Sequence, residues 1–188
     1  MDQKRFFISA FKGWLVALIL GFCSCENNID KVNLITATDT RPLQSEENAS
    51  YVYTDSAKIK FRLEAPLLNS YGGKNPYQEC PKGMNVDFYD DSMRVSSHIN
   101  SNYAIRHDRT KITEADGNVV VVNKKGEKLN TEQLFWDAGK HTIYTAKFVQ
   151  IKTATEILYG DGLQSNEDFT NYRITNIRGT VTLNNPTQ

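Results

Sequence analysis

The sequence predicts an all-β domain of antiparallel strands, carried behind an N-terminal export signal or anchor. From Tyr51 onward apolar and polar residues alternate with period two, as where Ile59, Phe61, Leu63 and Ala65 are set between Lys58, Lys60, Arg62 and Glu64. That is the pattern of a strand with one face on a core and the other in water. Turn-forming residues interrupt the alternation at short intervals: Pro66, Tyr71-Gly72-Gly73, Pro81-Lys82-Gly83, Asp116-Gly117, Lys125-Gly126-Glu127 and Asp161-Gly162. They supply the positive φ or the missing donor with which a chain reverses. No segment carries an amphipathic helical pattern, so many short strands must build a sandwich, jelly roll or open barrel.

The elements run in the following order. Residues 1–25 read as a lipoprotein signal peptide and lipobox. Lys4, Arg5 and Lys12 give a positive start, the stretch Trp14 to Phe22 is apolar, and the small Ser24 precedes Cys25, the expected lipidation site. The uncharged run from Gly13 to Cys25 is short of the roughly 17 to 25 apolar residues that a spanning helix needs. A retained single-pass anchor is the alternative use of the same residues, and either places the rest of the chain outside the cytoplasm. Residues 26–50 are polar and aperiodic and predict a flexible tether. The domain expected over 51–188 reads as strands at 58–65, 84–89, 93–99, 103–106, 117–123, 129–131, 133–136, 142–145, 148–153, 156–160, 172–177 and 179–183.

Composition narrows the function. Of the 22 basic and 22 acidic residues, Lys4, Arg5, Lys12 and Asp2 leave with the signal, so 19 stand against 21 and the net charge is −2. Nothing in that balance suggests nucleic acid as a partner. Once Cys23 is cleaved away and Cys25 acylated, Cys80 is the one thiol left, expected as a small buried apolar residue. His98, His107 and His141 are scattered and have no metal-ligand spacing, so no metal site is expected. Asp87, Asp90 and Asp91 lack the alternating ligands of a calcium loop. Ser96-Ser97-His98 has no Gly-x-Ser-x-Gly context, and Gly160-Asp161-Gly162 opens no helix, so it reads as a hairpin turn. No cofactor and no catalytic residue is expected.

The segment Glu114-Ala115-Asp116-Gly117-Asn118-Val119 is followed by Gly126-Glu127-Lys128-Leu129-Asn130-Thr131-Glu132-Gln133-Leu134-Phe135-Trp136-Asp137. After it come Ile143 to Ile151, Tyr159-Gly160-Asp161-Gly162-Leu163, Tyr172-Arg173-Ile174 and Gly179-Thr180-Val181. In order and spacing this set resembles the LptC family, the membrane-anchored component of the lipopolysaccharide export (Lpt) system, and the OstA-like β-jellyroll of its relatives LptA and LptD. Thr145-Ala146 departs from the Thr-Asp common in the family. The resemblance implies a single elongated antiparallel β-jellyroll forming an open trough, in a protein at the periplasmic face of the inner membrane that accepts lipopolysaccharide from the LptB, LptF and LptG transporter and passes it to LptA.

Parity along the strands then gives candidates for a lipid-lining trough: Phe61, Leu63, Phe88, Tyr103, Val119, Val121, Leu134, Trp136, Val149, Ile151, Ile157, Tyr159, Tyr172 and Ile174, with Val86, Ile105, Leu129 and Ile143 beside them. Packed core and cavity wall look alike at this level. The edge near Tyr51 to Asp55 is expected to face the transporter, and the strand Gly179, Thr180, Val181, Thr182 and Leu183 to receive an LptA-like partner by edge pairing. Two other classes stay open: a structural or adhesive envelope lipoprotein with a filled β-core, and a hydrolase on a β scaffold.

Overall fold

The computed structural model describes residues 41–183. The expected export signal, Cys25 and the greater part of the expected tether lie outside the described residues, as do 184–188. The described chain is all-β and antiparallel, eleven strands in one sheet with no helix: β1 Gln44–Asp55, β2 Lys58–Tyr71, β3 Tyr77–Cys80, β4 Met84–Tyr89, β5 Val95–Ser101, β6 Tyr103–His107, β7 Ile112–Asn123, β8 Lys128–Asp137, β9 Thr142–Lys152, β10 Glu156–Asn166 and β11 Tyr172–Thr182.

The sheet is scored along one line. On one edge β2 pairs with β4 through Phe61 to Glu64 and with β3 through Asn69 to Tyr71. On one edge β7 pairs with β6 through Ile112 to Asp116 and with β5 through Val120 to Asn123. The level at which partners change runs on as breaks in register: Asp116/Val119 in β7, Thr131/Phe135 in β8 and Asp161/Leu163 in β10. Backbone of left-handed φ sits at this level, at Asn48 (52°), Gly117 (73°), Asn118 (48°) and Gly162 (79°). Such residues produce bulges that bend a strand without ending it.

Each long strand therefore contributes to two leaves that fold toward each other. The first leaf holds the starts of β2, β8 and β10, the ends of β1, β7, β9 and β11, and all of β4 and β5. The second holds the complementary halves with β3 and β6. Trp136 of the second leaf meets Phe88 and Phe61 of the first, with ring centroids 5.0 and 4.9 Å apart and both pairs edge-on.

Several expectations are corrected here. β1 begins at Gln44, so residues 44–50, expected in the tether, are strand. β1 is an edge strand in which Ala49 alone is buried, so it has no apolar alternation to read. Pro66, Asp116-Gly117 and Gly160-Asp161-Gly162 do not close hairpins; they lie inside β2, β7 and β10 at the score line. The runs 129–131 with 133–136, 142–145 with 148–153 and 172–177 with 179–183 are likewise single strands, β8, β9 and β11. β3, Tyr-Gln-Glu-Cys, carries too little alternation to be seen.

Register lays the inner face out in rows. On the first leaf Leu63, Val86, Ile99, Val121, Leu129, Ile151 and Leu158 are successive cross-strand partners. On the second, Gln78, Arg106, Thr113, Trp136, Ile143, Ser165 and Tyr172 form the matching row. The two faces are packed to different degrees along their length.

Candidate functional site

At the β7–β10 end the leaves are in full contact. Val119, Val121, Leu129, Ile143, Val149 and Ile151 are all 0 % exposed, and Leu134 and Leu163 are fully buried with them. The loop between β10 and β11 straps this end across both leaves. On the first leaf Ser97 Oγ donates to the Glu167 carbonyl (2.6 Å), Asn123 Nδ2 donates to the Phe169 carbonyl (2.8 Å) and Ser96 Oγ donates to Asp168. On the second leaf Trp136 Nε1 donates to Glu167 Oε1 (2.6 Å), and His141 Nδ1 lies 2.9 Å from Glu167 Oε2. Phe169 is buried and stacks on Tyr172 at 5.0 Å.

Toward β1–β4 and β6 the leaves part around a cavity of about 980 Å3. That is at the upper end of the roughly 300–1,000 Å3 usual for ligand sites. Phe61, Leu63 and Phe88 wall it from the first leaf and Cys80, Ala104 and Trp136 from the second, with the strap residues Asn166 to Asp168 closing it toward the packed end. Tyr53 stacks on Phe61 at 5.1 Å and carries the aromatic wall out to the exposed edge strand β1. Burial, aided by the nearby Glu79 carboxylate, pushes the Cys80 thiol up to about 11, so at neutral pH it stays protonated and behaves as part of the apolar wall.

The structure sorts the sequence candidates into three groups. Phe61, Leu63, Phe88 and Trp136 reach the cavity. Val119, Val121, Leu134, Val149 and Ile151, with Val86, Leu129 and Ile143, face inward but are closely packed, and Tyr172 and Ile174 pack against them half-buried.

Tyr103, Ile157 and Tyr159, and Ile105 with them, do not face the interior. Ile157 and Tyr159 pair with Lys152 and Gln150, whereas Leu158 and Gly160 pair with the inward Ile151 and Val149. The bulge at Asp161-Gly162 shifts the phase, so counting in twos through it assigns the wrong face. In β6 the inner positions are Ala104 and Arg106. Tyr103 lies on the outer face, where its hydroxyl donates to Glu79 Oε1 (2.9 Å), and burial with that carboxylate holds it near 12. The sequence reading missed Arg106, Lys111, Thr113 and the strap as parts of the cavity; a cation on a strand's inner face carries no apolar signal.

Among the described residues no helix is long and apolar enough to cross a membrane. A scored antiparallel sheet, packed at one end and open to an apolar cavity at the other, defines the class: a β-jellyroll with a cavity between its leaves. The family model for LptC, described as lipopolysaccharide-assembly, LptC-related, matches residues 13–181, and the chain belongs to that family. Membership carries a role in lipopolysaccharide transport and an inner-membrane-associated, periplasmic setting at the level of the family. No curated protein matches the chain.

Proposed function

We propose that this chain is a non-catalytic bridge component that accepts lipopolysaccharide from the LptB, LptF and LptG transporter, shelters its acyl chains in the cavity and passes it to an LptA-like protein. The cavity walled by Phe61, Leu63, Phe88 and Trp136 carries this reading. Each methylene exposed to water costs about 0.8 kcal/mol, so a multiply acylated lipid crosses an aqueous compartment only inside an apolar host. Cys25 is the proposed acyl attachment point, which tethers the domain to the inner membrane's periplasmic face. Among the described residues β1 and β11 are the two outermost strands and each has one ladder partner, which leaves one side of each for strand addition. β11, through Gly179 to Leu183, is the proposed receiver of the LptA-like partner, and β1 the edge toward the transporter.

The packed β7–β10 end favours a second reading, a structural envelope lipoprotein with a filled core. Photo-crosslinking in cells separates the two. With the probe at Phe61 or Trp136, crosslinks to lipopolysaccharide are expected, and with it at the outward Tyr159 or Tyr103, none. A folded, membrane-attached protein silent at Phe61 and Trp136 would leave the structural reading in its place. Cys25→Ala is expected to abolish acyl labelling; persisting label would move the anchor elsewhere.

A further inference from the structure

We propose that the second-leaf wall of the cavity holds an anion-binding subsite, formed by Gln78, Arg106 and Thr113 with Lys111 at its rim, that takes a phosphate group. Arg106 on β6 is the direct cross-strand partner of both Gln78 on β3 and Thr113 on β7, and all four residues line the cavity. Neighbours of that kind have Cβ atoms about 4.5–5.5 Å apart, within reach of one oxyanion.

What singles out the group is that its polar atoms have no partners. Among the described residues Arg106 makes no ion pair and no guanidinium hydrogen bond, the Gln78 amide and the Lys111 ammonium are unmatched, and the Thr113 hydroxyl is buried without a partner in a residue 2 % exposed. Partly buried guanidinium groups are ordinarily paired, because desolvation without compensation is costly.

Of the carboxylates that line the cavity, Asp55 stands at the end of β1 on the first leaf, where it accepts from Ser56 Oγ (3.2 Å), and the others are engaged elsewhere. Asp91 lies 3.6 and 3.7 Å from Lys58 and Lys60, Asp90 is 3.4 Å from Arg94, Glu167 takes Trp136 and His141, and Asp168 takes Ser96. The wall is thus left with two uncompensated cations, one a planar fork suited to two oxygens of a phosphate. The opposite wall is Phe61, Leu63 and Phe88, so the site as a whole fits an amphiphile with a phosphorylated head. The same donors fit free phosphate. The lipid source of the phosphate rests on the carrier reading above; the subsite itself does not.

The test is equilibrium binding of intact and phosphatase-treated lipopolysaccharide to the full-length chain in detergent, with a parallel titration of inorganic phosphate. Arg106→Gln is compared with Arg173→Gln, an exposed control on β11. The wild-type chain is expected to prefer the intact lipid by about tenfold, Arg106→Gln to lose that preference and Arg173→Gln to keep it. Equal binding of both lipids by the wild-type chain, or an equal loss for both in Arg106→Gln, overturns the subsite while leaving lipid carriage standing. If neither lipid binds, the carrier reading fails and the phosphate titration decides: binding that depends on Arg106 supports a free-phosphate site, and its absence overturns the proposal. Lys111→Gln, on an exposed turn, gives the same comparison should Arg106→Gln fail to fold.

Discussion

Leu63 and Leu129 lie on one inner row of the first leaf, four ladders apart, yet their truncations should cost different amounts. Leu→Ala removes three carbons, worth about 0.8 kcal/mol each when fully buried. Leu129 is 0 % exposed and enclosed, so its truncation adds an unfilled void and the total should fall at roughly 2–5 kcal/mol. Leu63 is half-buried on the cavity wall, so part of that transfer term is absent and the space left merges with space already present. A cost of about 1 kcal/mol is expected for it. With a urea m-value of about 2 kcal/mol/M, the two variants should differ in midpoint by on the order of 1 M. The assay is urea unfolding of the full-length variants, with m checked for constancy. Equal large losses would mean that the β1–β4 end is filled core; a small loss at Leu129 would mean that the β7–β10 end is hollow. Either refutes the division of the interior.

Gly162→Ala should destabilise by about 1–3 kcal/mol, since an L-residue at φ +79° is strained and its Cβ would lie 3.0 Å from Thr175 Oγ1 and 3.3 Å from the Thr145 carbonyl. Gly73→Ala, at φ +90° with nothing within 4 Å, should cost only the strain, and thermal unfolding compares them. The Asp137 carboxylate is held below the usual range by the Lys140 side chain, with the Lys140 and Gly139 amides adding to it. A depressed folded value stabilises above the unfolded value and is lost as pH falls through the folded one, so wild type and Asp137→Asn should differ at pH 7 and converge below about pH 4. Midpoints that stay equally far apart at pH 3 would count against it. Deleting 179–188 should block association with an LptA-like partner in co-purification while recruitment to the transporter persists; unchanged association would discard edge pairing through β11.

Much of this molecule was legible in the chain because a strand with one dry face writes its face into every second residue. Phe61, Leu63, Phe88 and Trp136 were found in that way. The failures share a cause. Gly117, Gly162 and Pro66 carry turn chemistry, but their neighbours keep both sides of the strand paired, so the chain bends where it was expected to reverse. The same bulge at Gly162 moved Ile157 and Tyr159 to the outer face. Val121 and Ile151 have the pattern of Leu63, and only the distance between leaves, which alternation does not encode, separates packed core from cavity wall. Arg106 was invisible for the opposite reason: its inward position is the polar half of an alternation that was read as Tyr103 and Ile105.

A sheet scored along one line has a hinge whose stiffness does not come from its ladders. Backbone hydrogen bonds run within each leaf, so swinging the leaves apart about the line through Gly117 and Gly162 leaves those ladders intact. Resistance to gaping is supplied at the β7–β10 end by the buried core between the leaves, and beside the cavity by Trp136 against Phe61 and Phe88 and by the bonds of Glu167 and Asp168 across the two leaves. With the packed end fixed, the aperture at the cavity end is set by a handful of side chains, three of them aromatic walls of the cavity itself. A guest that wedges between those rings loosens the clasp that limits its own entry.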